Sequence, residues 1–409
     1  MVTGTHEDVT AGPRRGWIAA LVTATVGVAV GWFGPIQILL PAQSALIAVD
    51  GGKEGLLALV TGAGAAASMI ANPLWGVLSD RLRARTGSRA PVLLIGLGVG
   101  VAGLLVLAAA ASPPMMVLGW VLTQVGLNGP FAVLAALIAD RVPEQRRGLV
   151  GSLFGIAQLT GTIVGTALAV ALGEGALGYI AIAVAVPLLV LPILITRPGV
   201  PDAAAEPLAT GAAAAPTRRG LRVDRTFVAA FGLRFLLNLV SALGLLYLYY
   251  FLSDRAQIDD PGTWILVLTA CYVVVAGIAA GVGGALSDRL RRRRGVAAGA
   301  AIVLAVGAVL MAFAVDVPLI VTAVLVLGVG YGLFLAVDVA IVTDALPDPR
   351  TRATLLGVAN IASTLPQVLA PVIAAPVVTS LGGYPALYAA TAVVALLALF
   401  VLPFLGRIR

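Results

Sequence analysis

The sequence predicts an all-α polytopic membrane protein, with twelve transmembrane helices forming two six-helix bundles related by pseudo-symmetry. Three observations carry that prediction. First, 60% of the 409 residues are hydrophobic and only 11% are charged, with a mean hydropathy of +1.04. Soluble domains run at about 45–50% apolar, so a water-soluble fold could not hide this much apolar surface. Second, polar residues collect in islands between apolar runs of about 20 residues, the length that crosses a ~30 Å hydrocarbon core as helix. Third, polar motifs of the first half return in the second.

Taken in order, the spans are 16–40, 55–78, 91–112, 114–139, 148–172 and 178–196, then 227–252, 262–286, 296–316, 318–343, 353–380 and 384–406. Each break is a turn or charge signal. "GGKEG" parts the first two spans, "SDRLRARTGSR" the next and "SPP" the third from the fourth; "RVPEQRRG" and "GEG" follow. In the second half the breaks are "SDRAQIDDPG", "DRLRRRRG", "DVP", "PDPRTR" and "LGGYP". One long polar stretch, beginning "TRPGVPDAAAEPL" at Thr196, is rich in Pro and Ala and reads as a flexible linker. It divides the chain into a bundle over 1–196, a linker over 197–226 and a second bundle over 227–409.

The net charge of +7 is a topology signal and not a nucleic-acid footprint. Twelve spans put both ends and alternate loops on one side, and that side holds 23 of the 26 Lys and Arg. The opposite side keeps Lys53 and Arg255, and Arg234 falls inside a span. Basic residues stay on the cytoplasmic side, so both termini are expected there, in a multi-pass protein of the cytoplasmic membrane.

Single residues exclude other chemistries. Cys271 is the one cysteine and His6, in the N-terminal tail, the one histidine. Intrachain disulfides, zinc clusters, iron–sulfur centres and histidine proton relays are therefore not expected. The tail shows no cleavable signal pattern. "GVGVAG" at 98–103 fits Gly-x-Gly-x-x-Gly, but it lies mid-span with no preceding strand and reads as a helix-packing surface. Lys53 is followed by Glu54, so no phosphate-binding P-loop is present. The sequence predicts no enzyme, no cofactor, no metal and no nucleic-acid partner; its expected partner at this point is the lipid bilayer, and a monomer suffices.

The repeat is specific. Asp80 matches Asp288 at an offset of 208, while Asp140, Pro143 and Arg146 match Asp344, Pro347 and Arg350 at 204. "LFGIAQ" matches "LLGVAN", pairing Gln158 with Asn360. The Gly-x-x-x-Asp-Arg element after span 2, its echo after span 8 and the six-plus-six layout resemble the major facilitator superfamily over the whole chain. More narrowly, "ANPLWGVLSDRLRARTGSRAP", "GYGLFLAVDVAIVTDALP" and "LPQVLAP" resemble the glycoside–pentoside–hexuronide and sucrose-transporter branch of sugar:cation symporters. The resemblance implies alternating access by a secondary transporter, with a substrate held between the halves, here a sugar or glycoside.

It also implies a cytoplasmic gate at the repeated element. A carboxylate flanked by arginines at a helix end can bond neighbouring helix ends, while the arginines anchor topology. The expected gate residues are Gly76, Asp80, Arg81, Asp140 and Arg146, with Gly284, Asp288, Arg289, Asp344 and Arg350 in the second half. Gly76 and Gly284 are expected to let helices approach closely.

Two ionisable groups lie well inside spans, Arg234 in "FGLRFLLN" and Asp338 in "LAVDVAIVTD". Such groups are functional candidates, and an ion pair between them that breaks on opening or proton uptake is the expectation. The rival is an Arg234 that snorkels to the interface beside an Asp338 facing water. The uncharged set Gln37, Gln124, Asn128, Gln158, Asn238, Tyr331, Asn360 and Gln367 suits a hydroxyl-rich solute, since amides both donate and accept. Interhelical hydrogen bonding is the alternative for each of them. Span 5 lacks the Gly-Pro pair, and span 4 has Gln124 where drug/proton antiporters carry an Arg. Export of a hydrophobic metabolite or drug stays open as a second function, and a non-transporting sensor or membrane enzyme as a third.

Overall fold

A computed structural model describes residues 15–48, 52–196, 224–290, 292–346 and 352–406, and these are helical without strands. Twelve of the helices are long and apolar enough to span a membrane. The first six are α1 (Arg15–Ile47), α2 (Lys53–Thr86), α3 (Ala90–Ala108), α4 (Pro113–Arg141), α5 (Gln145–Leu172) and α6 (Ala176–Ile195). The second six are α7 (Arg225–Leu246), α8 (Pro261–Ser287), α9 (Arg293–Phe313), α10 (Val317–Asp344), α11 (Val358–Ser380) and α12 (Gly383–Leu405). The 197–226 linker lies outside the described residues up to 223, as do His6 and Arg350.

Local chemistry explains where helices outrun the apolar runs. α1 continues past residue 40 through a π turn at Pro35–Leu39, where the Leu40 N–H reaches back to the Pro35 carbonyl. That wider turn absorbs the register change at a proline that cannot donate. α2 runs on to Thr86, so Asp80 sits within the helix and not in a loop. It stops where Gly87 adopts φ +70° and caps the Arg83 carbonyl, a left-handed position that favours glycine. Arg83 and Arg85 in its last turn complement the negative end of the helix dipole. After α7, "LYY" and a second π turn at Phe251–Arg255 carry the chain out of the membrane.

Each packing pair of the first half has a counterpart in the second. α1 lies on α5 and α6 as α7 lies on α11 and α12; α4 packs on α2 and α3 as α10 packs on α8 and α9. The halves meet through α2 against α11 and α5 against α8, two contacts exchanged by the pseudo-two-fold. Since lipid offers helices no hydrophobic drive to associate, such packing relies on close backbone approach. At Gly126 an added Cβ would sit 2.1 Å from the Gly100 nitrogen, and at Gly332 it would sit 2.2 Å from the Ala276 carbonyl. Gly100 and Gly103 of the "GVGVAG" run press on α4 in this way, whereas Gly98 faces open space. Gly76 and Gly284 correct the expectation: a Cβ on either meets nothing within 4 Å, and it is Gly283 that packs closely, against Leu333 and Ala336.

Candidate functional site

α7, α10 and α11 build a polar wall deep in the second half. Arg234 Nη2 lies 3.4 Å from Asp338 Oδ2, and Arg234 Nε donates to Ser363 Oγ at 2.7 Å. The Asp338 side chain is only 8% exposed. Burying both charges costs desolvation that the pair's attraction and the added hydrogen bond must offset. Asn238, one turn on from Arg234, donates to the Arg234 carbonyl at 2.8 Å. Tyr331 precedes Asp338 by seven residues, hence on the same helix face, and stacks on Tyr272 with centroids 6.0 Å apart. Asn360 and Gln367 flank Ser363 at spacings of three and four, so they share the face that meets Arg234, and both are exposed.

The first-half amides are placed differently. Ser68 of α2 donates to Gln124 Oε1, Asn128 donates to Ser68 Oγ and to the Gln124 carbonyl, and all three bonds measure 2.7–2.9 Å. Gln124 and Asn128 thus spend their groups on joining α2 to α4. Gln37 Oε1 accepts from Thr166 of α5 at 2.7 Å and from Thr269 of α8 at 3.1 Å, which ties it into the contact between halves. Gln158 lies half-buried on α5. What α1, α4 and α5 bring together is aromatic: Trp32 meets Phe131 edge-on at 5.3 Å, and Phe131 meets Phe154 at 5.4 Å, with all three rings half-buried.

At the arginine-rich face, each half closes a clasp of its own. Arg89, 5% exposed, holds Asp140 through Nε at 2.8 Å, and through Nη1 it holds Asp80 at 2.8 Å and Ser79 Oγ at 2.7 Å. Arg83 grips the other Asp140 oxygen at 2.6 Å. Burial alone would lower the Arg89 pKa, but the bonds from Asp140 and Asp80 outweigh it and raise it. Arg293 pairs with Asp344, the same offset of 204 that relates Asp140 to Asp344. Of the expected gate carboxylates, Asp80, Asp140 and Asp344 are therefore held by Arg83, Arg89 and Arg293, while the expected Arg81, Arg146 and Arg289 stand exposed. Asp80 itself is 71% exposed. The Asp288 side chain and Arg350 lie outside the described residues.

At the opposite, far face the halves are sealed to one another. Lys53 Nζ pairs with Asp254 at 2.7 Å and lies 4.8 Å above the Tyr250 ring. Three hydroxyls cross the seam: Tyr247 to the Glu54 carbonyl at 2.9 Å, Tyr249 to Glu174 at 2.5 Å and Tyr250 to the Pro41 carbonyl at 2.9 Å. Tyr384 joins Glu54 and Asp254. Sequence reasoning missed this seam. Its signal was the tyrosine-dense "YLYYFLSD" beside Lys53–Glu54, polar residues on an otherwise charge-poor side. Ser68 and Ser363 had no such signal.

The two six-helix halves are sealed to one another at one end, and comparisons with known proteins bear on the fold and the family. Solved structures share the fold at low identity. A bacterial homologue of the human lysosomal transporter Spinster, in an inward-facing and occupied conformation, has 16% identity, covers 98% of each chain and gives a TM-score of 0.75. The nucleoside transporter NupG has 15% identity over 97% of this chain and 100% of that one, with a TM-score of 0.70. A peptide transporter of the POT type in complex with sulfate has 14% identity, covers 96% and 95%, and gives 0.75. No curated protein matches the chain by sequence. A family model described as Major Facilitator Superfamily matches residues 20–267 and 259–408. The chain is a multi-pass membrane transporter and belongs to the Major Facilitator Superfamily.

Proposed function

We propose that the chain moves a small hydroxyl-bearing solute, a sugar or glycoside, across the cytoplasmic membrane by proton-coupled alternating access. The observation that carries this reading is the Arg234–Asp338 pair with Ser363 and Asn238 bonded to Arg234, on helix faces whose spacing adds Tyr331, Asn360 and Gln367. Amides and hydroxyls offer donors and acceptors side by side, which is what neighbouring sugar hydroxyls require. The half-buried Trp32, Phe131 and Phe154 rings of the other half supply flat apolar surface for the C–H face of a sugar ring or for an aglycone. Separating Arg234 from Asp338 leaves the carboxylate to find another positive partner, and a proton is the simplest. With its arginines, the clasped face is cytoplasmic in this reading, both termini lie there, and a monomer is the working unit.

Uptake of labelled sugars and glycosides into proteoliposomes tests the solute class. Asn360→Ala and Gln367→Ala each remove about 1 kcal/mol of hydrogen bonding, so KM for the transported glycoside rises several-fold while the protein still inserts and folds. If no sugar or glycoside moves, the solute assignment fails. The aromatic cluster favours a second reading, export of an apolar metabolite or drug; outward movement of such compounds in the same vesicles would establish it.

A further inference from the structure

Arg234 offers more hydrogen-bond donors than its own protein uses. A guanidinium carries five N–H groups in a rigid fork. One of them, on Nε, donates to Ser363 Oγ at 2.7 Å. Nη2 meets Asp338 Oδ2 at 3.4 Å, well beyond the roughly 2.7–2.9 Å of a charge-assisted hydrogen bond. Among the described residues neither Nη1 nor Nη2 makes a hydrogen bond. Nor is the fork sealed away: the side chain is 16% exposed, and none of its nitrogens is both buried and unpartnered.

Arg89 shows what a satisfied arginine looks like in this chain. Its Nε and Nη1 reach three side-chain oxygens at 2.7–2.8 Å. Arg234 sits deeper, where a poorly paired cation costs more, yet it receives fewer and longer contacts. Its neighbours Asn360 and Gln367 are exposed, and among the described residues their side chains make no hydrogen bond. Arg234 is also the one basic residue that falls inside a predicted span. An anion entering between the halves therefore meets a single cation there, with its end-on Nη1–Nη2 edge free and two amides one turn away on α11.

We propose that the carried solute is itself an anion, a sugar acid or carboxylate-bearing glycoside, and that its carboxylate docks end-on across Nη1 and Nη2 of Arg234. Two parallel N–H···O bonds form, the geometry that suits guanidinium and carboxylate. Nη2 is drawn from Asp338, so solute and Asp338 compete for one guanidinium. Asn360 and Gln367 then take the ring hydroxyls. The inference rests on the sugar reading above and narrows it from neutral glycosides to acidic ones. That reading already gives Asp338 a proton when it parts from Arg234, so the solute's charge and the proton's charge cancel.

Binding to purified protein at fixed pH, measured by calorimetry, tests this. The probes are methyl uronides of the gluco, galacto and manno series, their neutral uronamides, the parent methyl glycosides, and phenylacetate as a carboxylate without a sugar. In wild type one uronide is expected to bind about tenfold or more tighter than its uronamide. Asp338→Asn removes the competitor, so the uronide tightens several-fold while the uronamide does not change. The double variant Arg234→Gln, Asp338→Asn leaves no unpaired buried charge and binds uronide and uronamide equally. The Asp338→Asn result stands whether or not the double variant folds. A uronamide or parent glycoside that binds wild type as tightly as the uronide overturns the proposal and leaves the sugar reading in place; so does a uronide preference that survives in the double variant. Phenylacetate binding that depends on Arg234, with every sugar inert, keeps the carboxylate dock and overturns the sugar reading. If no probe binds, both fall.

Discussion

Breaking the Arg234–Asp338 pair from either side has unequal and non-additive costs. At 3.4 Å and an effective dielectric constant of about 20, two unit charges attract by roughly 5 kcal/mol, most of which offsets the desolvation of the two ions. The intact pair is therefore worth little against a neutral pair of similar shape, yet a lone survivor is expensive. Arg234→Gln leaves an 8%-exposed carboxylate without its partner, at a cost of about 3–5 kcal/mol. Asp338→Asn leaves a guanidinium that keeps its Ser363 bond and is 16% exposed, at a smaller cost of about 1–3 kcal/mol. The double variant carries no buried charge and recovers at least about 2 kcal/mol relative to the sum of the single losses. Equilibrium unfolding in mixed detergent micelles, followed by tryptophan fluorescence, measures all four corners of the cycle. Single losses that add in the double variant to within about 0.5 kcal/mol would refute the pairing argument.

Other consequences follow from the clasps, the packing and the seal. Arg89→Gln unpairs Asp80 and half of Asp140 and is expected to cost about 3 kcal/mol, more than Arg293→Gln, whose partner Asp344 is 44% exposed; thermal unfolding in detergent ranks them. Gly126→Leu forces side-chain atoms into the Gly100 backbone, so it yields aggregate on size exclusion, whereas Gly98→Ala elutes as wild type. Lys53→Gln weakens the seal and increases maleimide labelling of a far-face cysteine that the closed seal covers, such as Ser44→Cys, Ser44 being fully buried. Asp254 is held below its ordinary value of about 3.9. A depressed carboxylate stabilises above its unfolded pKa and loses that contribution only as pH falls through the folded one. The Lys53–Asp254 pair therefore survives acidification from pH 7 to about 5, and far-face labelling of wild type does not increase over that window.

The spans were legible because apolar run length is a direct physical requirement of the bilayer, written locally in the sequence. Their ends were less so. α2 overran its expected end by eight residues because "DRLRART" is good helix former outside the membrane as well. Asp80, Asp140 and Asp344 stood out as carboxylates in a chain poor in charge, but their true partners did not. Arg89 is one of four arginines in one polar island, and only its repeat-mate Arg293 marks it. Arg234 and Asp338 were visible as charges in apolar runs, whereas the Ser363 that also binds Arg234 looks like any helix serine. The seal was hidden for a deeper reason. Glu54, Asp254 and Tyr384 are some 200 and 130 residues apart, and they meet only once the halves have packed.

The central claim is that solute movement is driven by protons through Asp338. Proteoliposomes holding wild type or Asp338→Asn, loaded with buffer and given a labelled glycoside outside, are compared with and without an inward proton gradient. The account predicts uphill accumulation in wild type only when the gradient is present, and mere equilibration, or no movement, in Asp338→Asn. Gradient-driven accumulation that persists in Asp338→Asn would contradict it.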